Sequence, residues 1–153
     1  MGLRGFGKSW LLRLGAVAAL AVDAYVHAQL AAVFDPIRAT VSEGQLFRVE
    51  AAAAGLAAVL LLVAANRVTW ALALLVLASG VAAVLFYHFV DPGQLGPLPD
   101  MYDPLWTAQK AVSAVAEGVG TVFAAAGLAL ALRSPERRQM SASTAGMTET
   151  GRD

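Results

Sequence analysis

The feature that most restricts this chain is an alternation of apolar runs with short polar breaks. Runs over 14–34, 46–65, 68–90 and 106–132 are each about twenty residues or longer, enough to cross a ~30 Å hydrocarbon layer as a helix. In lipid every backbone N–H and C=O must be satisfied within the segment, so runs of this length predict helices. Asp35-Pro36 and Asp91-Pro92 stop the first and third runs, because proline disfavours a helical conformation in its predecessor. Asn66-Arg67 leaves room only for a tight turn, so the second and third runs form a hairpin. The expected fold is all-α: an integral membrane four-helix bundle.

Composition agrees. Of 153 residues 58% are hydrophobic and 14% charged, against about 25% charged in a soluble domain. Such a chain cannot cover a water-facing surface, and nothing is left for a separate catalytic domain. Zero formal net charge argues against a nucleic-acid partner, and the absence of cysteine excludes disulfides and thiolate chemistry. The expected surroundings are the lipid bilayer, with a membrane-protein partner or a second copy as further contacts. No cofactor motif is present: neither a Gly-rich phosphate loop nor a nucleophile elbow nor a zincin helix occurs.

Orientation follows from the basic residues. Arg4, Lys8, Arg13, Arg67, Arg133, Arg137, Arg138 and Arg152 gather on one side, and only Arg38, Arg48 and Lys110 on the other. Basic residues mark the cytoplasmic side, so both termini are cytoplasmic and the membrane is the inner, plasma membrane. Residues 1–13 form the N-terminal segment, and 133–153, Ser/Thr-rich without apolar periodicity, a disordered cytoplasmic tail. The rival reading of the first run is a cleaved signal with Val26-His27-Ala28 as its site. Against it, the run continues to Phe34, beyond the length of a signal core. Phe34, Phe47, Phe86, Tyr87, Phe89, Tyr102 and Trp106 form an aromatic belt at the outer interface.

Ionisable residues inside such runs are costly in lipid and point to the bundle interior. Depth can be read along each helix from the inner arginines. Asp23 then lies ~15 Å from Arg13 and His27 ~21 Å, with Glu50 ~26 Å from Arg67 and Glu117 ~24 Å from Arg133. His27, Glu50 and Glu117 therefore share one level, with Asp23 one turn below His27 on the same face. Lys110, Ser113, Glu117 and Thr121 repeat every four residues down the fourth run. His88 and Lys110 cap this layer, and the loop 91–104, with Asp91, Asp100, Tyr102 and Asp103, roofs it. The expected candidate pocket is thus Asp23, His27, Glu50, His88, Lys110, Ser113, Glu117 and Thr121, opening outward.

Two chemistries and one plain role compete for it. One histidine with carboxylates suits Zn, Fe or Mn, with His27, Glu50 and Glu117 as candidate ligands, although the paired Glu-x-x-His of di-iron bundles is missing. A haem between His27 and His88 is disfavoured, since their depths differ by ~11 Å. Intramembrane Asp/His/Glu also serve proton or ion relays. The plain role is a hydrogen-bonded structural layer, with Asp100 and Asp103 as turn residues and Glu50 and Arg48 reaching headgroups.

The pieces Leu46-Phe47-Arg48-Val49-Glu50-Ala51 and Gly96-Pro97-Leu98-Pro99-Asp100-Met101-Tyr102-Asp103-Pro104-Leu105-Trp106, followed by Lys110, carry a resemblance. The chain resembles a family of small, uncharacterised four-span membrane proteins from high-GC bacteria. It is similar to DoxX-like proteins in architecture only, and none of that family's characteristic residues transfers. The resemblance implies a four-span fold and no particular activity. The expected function is an accessory or ligand- or partner-binding membrane protein; the alternatives are a redox or metal-dependent enzyme or a proton- or ion-coupled transport component.

Overall fold

The computed structural model describes the backbone of residues 3–149 and the side chains of 9–133. It is all-α: α1 (Leu3–Phe34), α2 (Glu43–Val63), α3 (Arg67–Phe89) and α4 (Ala108–Glu149). Each contains a stretch long and apolar enough to cross a membrane, over Ser9–Phe34, Glu43–Val63, Arg67–Phe89 and Ala108–Arg133. Helix α1 packs on α2 and α4, and α3 on α4 and α2, giving an up-down-up-down square with little contact across the diagonal. The expected disordered tail and the basic side chains at 4, 8, 137, 138 and 152 lie outside the described side chains, although the α4 backbone helix continues to Glu149.

Capping chemistry moves the helix ends by a few residues from where hydropathy alone puts them. Helix α2 starts at Glu43 rather than at 46, because Ser42 is its N-cap: Gln45 N–H donates to Ser42 Oγ at 3.1 Å and Ser42 N–H to Gln45 Oε1 at 2.9 Å. It ends at Val63, since Asn66 caps α3 through Val68 N–H at 2.9 Å and Thr69 N–H at 3.2 Å. Thr69 Oγ1 then donates to Ala64 O at 2.6 Å, closing the tight turn of the hairpin. Helix α4 begins at Ala108 rather than 106, after Thr107, whose hydroxyl accepts from Lys110 N–H at 3.2 Å.

The half of the bundle that carries Arg13 and the α2–α3 turn, called inner after the expected orientation, is a closed apolar core. Leu20, Leu61, Leu77 and Ala124 are fully buried, with Trp70 beside them. In lipid the apolar side chains gain little from leaving water, so close packing of small residues has to hold the helices. Gly120 and Gly127 of α4 provide this: a Cβ on Gly120 would fall 2.5 Å from Ala19 Cβ, and one on Gly127 2.4 Å from the Trp70 ring. Arg13 closes the inner end. Its Nε donates to Leu61 O at 2.8 Å and a terminal nitrogen donates to Leu62 O, satisfying carbonyls at the end of α2, while its guanidinium lies over Trp10.

Candidate functional site

Towards the outer end the four helices part around a cavity of about 680 Å³. Its walls are largely apolar: Val26 and Leu30 of α1, Leu46 and Phe47 of α2, Ala83 and Val84 of α3. The loop 90–107 contributes Met101, Asp103 and Thr107. Pro92, Pro97, Pro99 and Pro104 stiffen that loop, and Gly93 and Gly96 take the positive φ angles of 63° and 59° that its turns need.

The floor is polar. Asp23 and Glu117 are 0% exposed and His27 9%, and donor atoms of all three lie within 4.8 Å of one another. His27 Nδ1 donates to its own helix at Asp23 O, 3.1 Å away, and stands 2.7 Å from Asp23 Oδ1, a close contact without good hydrogen-bond direction. The ring's edge packs on Phe47, 5.1 Å between centroids. From α4, Ser113 Oγ donates to Glu117 Oε1 at 2.9 Å. The Glu117 carboxylate lies against Gly80 of α3, where a Cβ would come 2.9 Å from Glu117 Cδ. Asp23 Oδ2 and Glu117 Oε2 have no hydrogen-bond partner among the described residues.

The remaining expected site residues separate into three groups. Glu50, Lys110 and Ser113 line the cavity, and Glu50 Oε1 is buried without a hydrogen-bond partner. Glu50 stands outside the Asp23–His27–Glu117 cluster, on the α2 wall. Lys110 Nζ bonds to Asp103 O and pairs with Asp103 Oδ2 at 3.2 Å, while Asp103 N–H donates to Tyr87 O at 3.0 Å, tying the roof to α3 and α4. His88 instead packs on Trp106, centroids 4.4 Å apart, and is not among the cavity-lining residues. The Thr121 hydroxyl turns back to Glu117 O at 2.7 Å, as helical threonines commonly do. Asp91 and Asp100 accept from Gly93 and Tyr102 N–H at 3.1 and 3.0 Å, which makes them turn residues, with Tyr102 exposed beside the second.

Several residues that matter escape the sequence reading. Glu43 and Ser79 line the cavity. Arg48 does not serve headgroups alone: it makes a two-pronged pair with Asp35, at 2.7 and 2.6 Å, and Ser42 Oγ adds a 3.2 Å bond to the same carboxylate. Those Arg48 hydrogen bonds hold the Asp35 carboxyl below the usual aspartate range. The signal available in the sequence was the S-x-x-Q of Ser42 and Gln45, which starts α2 early and brings Glu43 into the helix.

No family model matches the chain, and neither a curated protein nor a solved structure matches it.

Proposed function

We infer that this chain is a multi-pass inner-membrane protein with both termini cytoplasmic, and that its outer cavity holds a small amphipathic molecule. It then acts as an accessory, binding component. The observation that carries this reading is the lining of the cavity: largely apolar walls around about 680 Å³, with a few polar side chains, Glu43 and Glu50 among them, set into it. That volume and that lining are those of a small-molecule site. The inward gathering of basic residues supports the orientation, and the loop motif 96–106 supports kinship with the small four-span proteins of high-GC bacteria.

The charge of the lining narrows the ligand. Lys110 is neutralised by Asp103, which leaves Glu43 and Glu50 as the further carboxyl groups lining the space. A ligand with a cationic or hydrogen-bond-donating head and an apolar tail is therefore favoured over an anionic one. The test is displacement of an environment-sensitive apolar dye from the purified protein in detergent. Decylamine should displace the dye at lower concentration than decanoate, Glu50→Gln should narrow that gap, and Ala83→Trp should fill the space and abolish dye binding. Dye binding that survives Ala83→Trp, or equal displacement by the two amphipaths, overturns the reading.

A further inference from the structure

We propose that Asp23, His27 and Glu117 form a binding site for a divalent first-row transition metal ion beneath the cavity floor. This does not depend on the amphipath reading, because it concerns groups below the cavity walls and a different class of ligand.

Charge balance is the first argument. Two carboxylates are placed at 0% exposure in the middle of an apolar bundle, where a buried charge has to be paired or neutralised. Of the outer cations, Arg48 is engaged with Asp35 and Lys110 with Asp103, and Arg38 is exposed in the α1–α2 loop. Arg13 sits at the opposite end on the Leu61 and Leu62 carbonyls. His27 brings at most one positive charge to two negative ones. A divalent ion cancels both and leaves the imidazole neutral, the form in which it ligates.

Geometry is the second. Asp23 Oδ2 and Glu117 Oε2 are buried oxygens without a hydrogen-bond partner among the described residues, in a cluster whose donors all lie within 4.8 Å. Tetrahedral ligands at about 2.0–2.2 Å stand about 3.3–3.6 Å from one another, so side-chain rotations that draw the donors in by about 1–1.5 Å close the set. The third argument is support. Ser113 Oγ holds the other oxygen of Glu117, and Gly80 makes room for its carboxylate. Partners of this kind orient metal ligands and tune their affinity. One imidazole and two carboxylates suit Zn²⁺, Mn²⁺, Fe²⁺ or Co²⁺ rather than a thiolate-selecting ion. Three protein ligands leave a coordination position for water or another small ligand, and His27 is the member of the set that lines the cavity.

Co²⁺ is the probe, because its d–d bands report nitrogen and oxygen ligation directly. Protein purified with chelator and returned to chelator-free detergent buffer is titrated with Co²⁺ and then with competing Zn²⁺. The expected result is one equivalent bound, with visible bands that Zn²⁺ removes and a raised melting temperature. Asp23→Asn, His27→Gln and Glu117→Gln, each nearly isosteric, should abolish the bands, and Ser113→Ala should weaken binding about 10–100-fold. Asp91→Asn, in the outer loop, should bind as the parent does. If a cluster variant fails to fold, the parent protein still decides. No Co²⁺ bands and no metal-dependent melting shift in the parent, or bands that persist through all three cluster substitutions, overturn the proposal.

Discussion

The inner and outer halves of the bundle solve the same problem in opposite ways. Within lipid neither half gains much from hiding apolar surface, so helix association depends on contact between side chains and on the polar groups each half must satisfy. Below Asp23, Leu20, Leu61, Leu77 and Trp70 interlock against Gly120 and Gly127, and Arg13 seals the end with hydrogen bonds to backbone. Above it, the same helices part around about 680 Å³ and are held by ion pairs at the rim, Asp35 with Arg48 and Asp103 with Lys110. Packing holds one half and polar ties hold the other. The contrast explains why the ionisable residues and the empty space occur together: volume given up by packing is where polar groups can meet a ligand.

Four substitutions probe that contrast, in falling order of effect once Val84 is set beside Leu77 as its control. Leu77→Ala, in the closed half, should cost about 2–5 kcal/mol in detergent unfolding, since it opens a void among fixed neighbours. Val84→Ala, on the cavity wall, should change stability by no more than about 0.5 kcal/mol, because its side chain already borders space. Equal losses at the two positions would break the comparison. Arg13→Met removes charge-assisted bonds to two carbonyls and should cost about 1.5–3 kcal/mol by the same measurement. Lys110→Met should leave the melting temperature nearly unchanged but speed backbone hydrogen exchange across 90–107, since the roof loses its tie to α4.

The smallest effect is a pH response at the rim. The folded-state pKa of Asp35 is depressed by Arg48, so the pair's contribution is complete above the unfolded value and is lost as pH falls through the folded one. In melting curves taken from about pH 6 down to about pH 3, the parent should lose stability below about pH 4. Arg48→Gln should be flatter across that window. A variant with the same acid limb as the parent would assign the limb to other carboxylates.

How much of this was legible in the residues depends on the kind of information each claim needs. Hydropathy and the two Asp-Pro stops set the membrane-length stretches to within a few residues, because length and composition decide what spans lipid, although α1 and α4 run on beyond them to Leu3 and Glu149. Rise per residue put His27, Glu50 and Glu117 at similar heights, yet height does not set direction around the axis. The structure turns Asp23 with His27 and Glu117 into one cluster and leaves Glu50 on the neighbouring wall. Thr121 and His88 show the same limit: the first bonds its own helix and the second finds Trp106. Hydropathy alone leaves Glu43 outside the second run, which starts only at Leu46, whereas the cap at Ser42 decides where α2 begins.

The turn between α2 and α3 has a mechanical consequence. Asn66 and Thr69 bind that corner tightly, while the far ends of the two helices meet through the Val41 N–H to Pro97 O bond, at 3.2 Å, between their loops. The hairpin is a pair of tongs pivoted at its base. With arms about 30 Å long, a tilt of a few degrees at the pivot moves the tips by an ångström or more, so a one-residue insertion at the corner should resize the mouth without touching a single lining residue.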